Sequence, residues 1–529
     1  MLNSVPTLDK QALFELLSCR FDGEDKKLSQ IPNPILLHDA EKSAKKIADA
    51  IRENKRIALV GDYDVDGVSS TAIMVDFFRQ IPYPLDAIIP NRFKDGYGVS
   101  PTVLDRVDAD LIITVDNGIS ALEAANICKE RAIDLIITDH HTPGDSLPDA
   151  YSIVDPKLSS CEYPFKEICG AQVAWLLLAL VKKELNLSID MKQFLDILAI
   201  AIIADIMPLI DINRTLVKEG LKVLISSNRP ASIIIRDFLN KSVITSEDIA
   251  FQIAPRINSA GRLEDASIAL EFFTATDTNK AYKQFELLGK LNDLRKETEA
   301  EATKEAIAEA DADADVIVVA KENWHEGVVG IVAARLVDKF GKPAVVLSIE
   351  NGVAKGSARS IGDVSIYELI KANEQLLTKF GGHKMAAGLG LKEEDINTFR
   401  DAINKSASSI DPDDFIPKDK VMGILSSDDI DFELLNLLQN FEPYGEANHR
   451  PSFLFKDAEV VSIKTMGKEK SHCRITLRQF PHDRKTQELV LFRQVLEMPT
   501  DRKLSCSYTI AKNEFNGRVS LQLLVNKIY

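Results

Sequence analysis

The chain has 529 residues, 45% of them hydrophobic and 27% charged; this excludes disordered and fibrous classes and, at roughly 150 residues per domain, predicts about three or four domains. The net charge of −16 argues against a simple polyanion-coating protein, yet residues 450–529 hold 15 Lys and Arg against 8 Asp and Glu, and a basic C-terminal module on an acidic body is a cue for nucleic acid. No apolar run approaches the ~20 residues of a membrane span, no leader-like segment follows Met1, and the cysteines form no CxxC pair, so the expectation is a cytoplasmic chain with reduced thiols and no membrane contact.

Residues 56–155 alternate short apolar runs with helical stretches. The runs RIALVG (56–61), LDAIIP (85–90), LIITV (111–115), DLIIT (134–138) and YSIV (151–154) are rich in β-branched residues and apolar on both faces. Parallel strands covered by helices have that pattern, and residues 68–79 and 121–131 supply helices between them. This predicts a doubly wound α/β sheet. Buried helices follow at 171–185 and 194–206, with Pro208 ending the second. Residues 279–310 contain one Gly and no Pro, which predicts one long helix. Its second half is so poor in large apolar groups that it reads as a solvated connector. A second α/β pattern runs from VIVV (316–319) to residue 390. Beyond Pro417, about five alternating segments predict a small barrel or sandwich. The expected domains are 1–276, 277–312 (the helix), 313–410 and 411–529.

Acids and histidines fall at the ends of these strands. GDYDVDG supplies Asp62, Asp64 and Asp66, TVDNGIS supplies Asp116, and TDHH supplies Asp139, His140 and His141. Asp205 ends the apolar helix AIIAD. In an open parallel sheet the strand C-termini meet at one crevice. Several carboxylates there repel one another, and divalent cations resolve the repulsion. Oxygen ligands with one or two imidazoles suit Mn²⁺, with Mg²⁺ the competitor. Asp116, central among the acids, is placed to bridge two ions, and a pair about 3.5–4 Å apart would serve an in-line displacement at phosphorus. A Ca²⁺ loop of the EF-hand kind is excluded, because the twelfth position counted from Asp62 is Ile73, which has no ligand atom. Taken singly, His140 and His141 read as surface or capping residues and Asp205 as a helix-end polar group. Their joint placement at successive strand ends makes the metal site.

GDYDVDG, TVDNGIS, TDHH and AIIAD, in this order and spacing, resemble the four motifs of the DHH phosphoesterase superfamily. FGGHKMAAG, with Gly381, Gly382 and His383, resembles its DHHA1 domain. The whole order of DHH domain, long helix, DHHA1 α/β domain and OB-fold-like β-barrel resembles the bacterial RecJ family of single-stranded-DNA-specific 5′→3′ exonucleases. PRINSAGR (255–262), ENWHEGVVGIVAARL (322–336) and GSARS (356–360) add to the likeness. The resemblance implies a dinuclear site of Asp62, Asp64, Asp66, Asp116, His140 and Asp205. Asp64 would serve one ion, Asp66, His140 and Asp205 the other, with Asp116 bridging; many relatives carry a His near the place of Asp62. It further implies that His141 faces the scissile phosphate, as ligand or proton donor, and that Asp139 orients a neighbouring histidine.

Arg256, Arg262 and Arg359 stand among small residues, which let a phosphate come close to a guanidinium fork; the plain alternative is arginines in surface turns. The resemblance favours Arg359 with Ser357, and Arg256. Gly381, Gly382 and His383 offer amides and an imidazole as a phosphate nest, or else end an element. In NRFKDGYG, Tyr97, and after it Phe93, would stack on a base, unless the segment is an ordinary loop. In the barrel, Lys464, Lys468, Lys470, Arg474 and Arg478 flank a turn at Gly467 and are candidates for DNA-backbone contact. Phe453, Phe455, Phe492, Tyr508 and Phe515 are mostly expected in its core, and Trp324 and His325 are read as structural. The expected activity is a two-Mn²⁺ (or Mg²⁺) exonuclease that releases 5′-mononucleotides from single-stranded DNA in repair and recombination, through a cleft wide enough for one strand. The resemblance suggests a single-strand-binding protein and a RecQ-type helicase as partners. Two alternatives stand beside it. A DHH-superfamily oligoribonuclease or phosphatase would need no extra barrel, and a non-catalytic replication scaffold would have lost metal acids.

Overall fold

The structure, a computed structural model, describes residues 5–21, 26–417, 421–467, 470–492, 494–515 and 518–529. The first sheet consists of β1 (Ile57–Val60), β2 (Asp86–Ile88), β3 (Leu111–Val115), β4 (Asp134–Thr138) and β5 (Ser152–Val154). All pairs are parallel, in the order β2-β1-β3-β4-β5. Strands β1, β3 and β4 are almost wholly buried, covered by α1 (Val65–Gln80) and α2 (Leu122–Glu130) among others, as their unbroken apolar runs require. The register sets Val60 beside Thr114 and Thr114 beside Ile137. The chain therefore leaves β1, β3 and β4 at one edge, with the direction of winding reversing between β1 and β3. Behind this edge lie α3 (Gly170–Glu184) and α4 (Leu195–Ala204), both largely buried. Farther along the chain, after the helices Asp211–Ser226 and Pro230–Leu239, is α5 (Ala254–Leu263).

The long helix α6 spans Thr278–Glu309, about 48 Å at 1.5 Å per residue. Its first half places Phe285, Leu288 and Leu291 in the core of the first domain. The second half is not the solvated connector the composition suggested. Ala302 and Ala306 are buried with Val328, Val329, Val332 and Ala333, because small side chains let α6 lie close against α7 (Val329–Phe340). Glu299 accepts from Arg295 at 2.7 Å and from Arg335 of α7 at 2.9 Å. One helix is thus part of both cores. The second sheet takes β6 (Ile317–Glu322), β7 (Ala344–Glu350), β8 (Val353–Arg359), β9 (Lys379–His383) and β10 (Ala386–Lys392). Its order is β9-β10-β8-β7-β6, with only β6 and β7 parallel.

The C-terminal unit contains β11 (Val421–Leu425), β12 (Ser452–Met466), β13 (His472–Arg478), β14 (Gln487–Leu491), β15 (Lys503–Phe515) and β16 (Arg518–Ile528). Because β12 pairs with both β13 and β15, the strands close into a barrel, which removes their free edges. Phe453, Phe455 and Tyr508 are buried in it, as expected. Residues from the chain's start join this unit. Thr7 and Leu8 pair in parallel with β11, and Leu13 and Leu17 lie in the barrel core. A boundary that assigns residues 1–276 to the first domain misses this, since no local pattern announces a contact across some 400 residues. Arg450 pairs with Glu247 at 2.7 Å and ties the barrel to the first domain. Among the described residues no helix is long and apolar enough to cross a membrane.

Candidate active site

The sheet edge brings the acids together. Asp64 caps α1, accepting from the Gly67 amide at 3.1 Å. Asp66, in the first turn of α1, accepts from the first two amides of α3, Gly170 N at 2.6 Å and Ala171 N at 2.9 Å. That charge sits where a helix N-terminus favours it. Asp116 follows β3 with φ of 62°, a left-handed conformation that non-glycine residues seldom adopt and that clusters at functional sites. Gly170 permits this, because a Cβ there would stand 2.5 Å from the Asp116 side chain. Asp139, after β4, accepts the amides of His140 (2.7 Å) and His141 (3.1 Å) on one oxygen and that of Ile119 (2.9 Å) on the other. It also meets His141 Nδ1 at 2.7 Å, so it orients that histidine, as expected.

His140 Nε2 is the meeting point. It lies 3.2 Å from Asp116, 3.6 Å from Asp205 and 3.7 Å from Asp66. Three overlapping sets, Asp62–Asp64–Asp116, Asp66–His140–Asp205 and Asp116–His140–His141, each offer ligand atoms within 4.8 Å of one another. Asp116 is shared by two of them. Buried oxygens of Asp62, Asp116 and Asp205 and Nδ1 of His140 have no hydrogen-bond partner among the described residues. Burial, and after it the neighbouring carboxylates, pushes Asp62, Asp64, Asp116 and Asp205 above the usual carboxylate range. Burial also pulls His140 down, toward the neutral form that ligates metals. Orphaned oxygens converging on a neutral imidazole fit hard divalent cations. His141 differs. Burial works to lower it, but the hydrogen bond and charge of Asp139 hold it up at about 9.

Facing the acids is a wall of guanidinium groups. Arg262 donates to the Gly327 carbonyl at 3.3 Å. Burial, then Arg92 and Arg295, pushes its pKa down to about 10, with Arg359 adding to the effect. Among the described residues, Arg92, Arg262 and Arg359 form no ion pair. Half-buried cations without counter-ions are a site for an anion. Ser357 and Arg359 flank Gly330, where a Cβ would stand 3.3 Å from the Ser357 hydroxyl and 3.1 Å from Arg359 Nη2. Arg92, Lys355, Ser357, Lys379 and Gly381 line a cavity of about 280 Å³ between the first two domains. Tyr97 donates to the Asp116 carbonyl at 3.2 Å and lies near His141, with its ring half exposed toward the crevice. A larger cavity of about 570 Å³, lined by Ile206, Met207, Phe251, Pro255, Arg262 and Arg450 among others, runs beside Asp205 toward the barrel.

The family models described as the DHH family N-terminal domain, the DHHA1 domain and the RecJ OB domain match residues 56–202, 313–409 and 423–527. The RecJ exonuclease of Bacillus subtilis is 36% identical over 93% of this chain, and that of Haemophilus influenzae is 32% identical over 95% of it. The chain spans 64% of the first relative's length and 93% of the second's. The chain belongs to the RecJ family. Curated members of that family carry the name single-stranded-DNA-specific exonuclease. A crystal structure of RecJ from Thermus thermophilus in complex with Mn²⁺ superposes with a TM-score of 0.81 at 27% identity, covering 99% of this chain and 79% of that one.

Not every expected residue joins the RecJ site. Arg256 does not; its guanidinium lies 4.3 Å over the Phe238 ring and 5.5 Å over that of Phe285, beside Gly289. Gly382 and His383 are exposed at the end of the β9–β10 hairpin, and the glycine that lines the cavity is Gly381. Lys464 and Arg474 are exposed cross-strand neighbours, Lys470 lies at their turn, and Arg474 reaches Glu488 at 3.6 Å. Lys468 lies outside the described residues, as does the side chain of Phe515. Phe492 is half exposed against His472. Trp324 is structural, donating to Glu305 at 2.8 Å. Sequence reasoning missed Arg92, since one arginine in a loop carries no distinguishing pattern, and missed the Gly170 and Ala171 amides that hold Asp66.

Proposed function

We propose that this RecJ chain hydrolyses single-stranded DNA from the 5′ end, releasing 5′-mononucleotides, with two Mn²⁺ (or Mg²⁺) held by Asp62, Asp64, Asp66, Asp116, His140 and Asp205. The observation that carries the reading is the convergence of buried, unpartnered carboxylates on His140 directly across from unpaired guanidiniums. Bound divalent cations supply charge neutralisation and Lewis acidity at a phosphodiester. The chain's own groups do the rest. Arg262, Arg359 and Ser357 hold the terminal phosphate, Arg92 adds charge, and Tyr97 offers a face to the neighbouring base. Water adds to phosphorus as the bond to the departing nucleotide's 3′ oxygen breaks. His141, kept protonated by Asp139, gives that oxygen its proton. The remaining strand keeps a 5′-phosphate, ready for the next round.

The cavity beside Asp205, apolar at Ile206, Met207 and Phe251, supports a path for one unpaired strand toward the barrel. A role in repair and recombination, a cytoplasmic location, and work beside a single-strand-binding protein and a RecQ-type helicase rest on the family resemblance. The test is digestion of 5′-labelled and 3′-labelled single strands with Mn²⁺, beside Asp116→Ala. Immediate release of labelled mononucleotide from the 5′-labelled strand alone, lost in the variant, supports the reading. Release from the 3′-labelled strand first, or undiminished activity of the variant, overturns it.

A further inference from the structure

The metal-binding acids stand on the first domain with Arg92 and Arg262, whereas Ser357 and Arg359 stand on the second, so the distance between domains decides how far that half of the phosphate pocket lies from the acids. α6 joins the two cores as a strut. A second set of contacts closes the gap at the site itself. The ring of Phe93, in the loop after β2, meets His325 edge-on with centroids 5.3 Å apart at 85°. The Gly327 amide donates to His325 Nδ1 at 3.0 Å, which fixes the ring and leaves the proton on Nε2 in the neutral form. The Gly327 carbonyl accepts from Arg262. Gly327 also lies so close to the backbone carbonyl of Arg262 that a Cβ would overlap it. Three residues with no catalytic chemistry of their own therefore join the loop between β6 and α7 to the first domain.

We infer that Phe93, His325 and Gly327 form a clasp that acts as the ruler of cleavage, holding Ser357 and Arg359, the second domain's half of the phosphate pocket, one nucleotide away from the acids. The inference rests on the proposed reading that this pocket takes the terminal phosphate. With that phosphate gripped, the next phosphodiester along the strand lies over Asp116 and His140, and the product is a mononucleotide. The bond broken is the same wherever the strand sits; the clasp selects which phosphate presents it. A wider gap lets the strand advance by one more nucleotide before the terminal phosphate is seated, and dinucleotides leave. These are positioning residues, and the length of the product reports on them where a merely structural role would change only the rate.

The test uses the full chain with Mn²⁺ and a 5′-phosphorylated, internally labelled single strand, with products sized by electrophoresis. Phe93→Ala and His325→Ala remove the edge contact, and Gly327→Ala drives a methyl group between the domains. The dinucleotide fraction is expected to rise about tenfold or more, most in Gly327→Ala, whose added methyl group would overlap the Arg262 carbonyl and force the two domains apart. Mn²⁺ affinity, followed by paramagnetic resonance, should stay as in the parent chain. Should Gly327→Ala fail to fold, the two alanine variants at the rings carry the test. Variants that digest the strand to mononucleotides alone, at whatever rate, overturn the clasp. Failure of the underlying reading looks different: the parent chain itself would treat phosphorylated and unphosphorylated 5′ ends alike, and the ruler would fall with the pocket.

Discussion

Asp139 and His141 form the tightest side-chain pair at the crevice, with a carboxylate oxygen 2.7 Å from Nδ1. The same oxygen accepts the amides of residues 140 and 141, and the other accepts that of Ile119. Asp139 is thereby held charged: burial opposes this, but the hydrogen bonds and the charge of His141 bring its pKa below the usual carboxylate value. Nδ1–H is committed to Asp139, so Nε2 is the ring nitrogen left free to serve the phosphate in the proposed mechanism.

Asp139→Asn keeps the shape and removes the charge. In the metal-free chain the His141 ring should titrate near 9, and in the variant well below that, since burial then acts against weaker support from the remaining carboxylates. The pair's contribution to stability is complete between the ordinary carboxylate value of about 4 and about 6.5, and is lost as pH rises through the His141 value or falls through that of Asp139. Nuclear magnetic resonance of the ring measures both. Turnover at neutral pH should fall about 10–100-fold, as for other groups that orient a catalytic histidine. An unchanged ring titration would sink the assignment.

The acids make the metal-free chain sensitive to pH. Asp62, Asp64, Asp116 and Asp205 are all raised, so the folded chain keeps protons that the unfolded chain has already lost. Stability then falls as pH rises from the carboxylate range toward neutrality. His140, pulled down by burial, opposes this as one group against four. Chelated protein should melt at a higher temperature at mildly acid than at neutral pH. Mn²⁺ should restore more at neutral pH, where it replaces the missing protons. Asp116→Asn should flatten the chelated curve. Calorimetry decides it; a chelated chain more stable at neutral pH would be the wrong sign.

Arg256 and Arg262 should separate cleanly. Arg262→Ala removes a cation from the phosphate pocket, and kcat/KM on 5′-phosphorylated strands should fall about 100-fold, with weaker preference for the phosphorylated end. Arg256→Ala loses its contacts with Phe238 and Phe285, so stability should drop by about 1–2 kcal/mol with KM unchanged. Steady-state kinetics beside thermal melting distinguishes them, and a KM effect from Arg256→Ala would reverse the assignment.

The same pair shows where sequence stops being sufficient. Both arginines stand among small residues, and the text around them is equally suggestive. On a helix, six residues turn through about 240°, so α5 sends one toward the acids and the other into an aromatic groove. By contrast, Asp62, Asp116 and Asp139 were legible because each follows a buried parallel strand, and strand ends in such a sheet converge without further information. Asp205 was legible as an acid at the end of an otherwise apolar helix. Arg92, the amides of Gly170 and Ala171, and the edge contact between Phe93 and His325 depend on how separate elements pack, which local pattern does not encode. The alanines of α6 misled for a related reason: small residues mark close helix packing as readily as solvent.

The barrel offers the last test. Lys464 and Arg474 are cross-strand neighbours on an exposed face. Contacts of this kind follow the phosphate backbone and carry no sequence preference. Lys464→Ala and Arg474→Ala should each weaken binding of long single strands about equally for all sequences. Each should also lower the slope of log affinity against log salt by about 0.7, the value for one phosphate of a single strand. Turnover of a strand too short to span from the crevice to the barrel should be spared. Substitution is the right probe here, and removal of residues 411–529 is not. Leu8, Leu13 and Leu17 lie in the barrel core, so that truncation would strip the cover from an apolar helix and confound lost binding with lost stability. An unchanged salt slope in the double variant would place the strand on another face of the barrel.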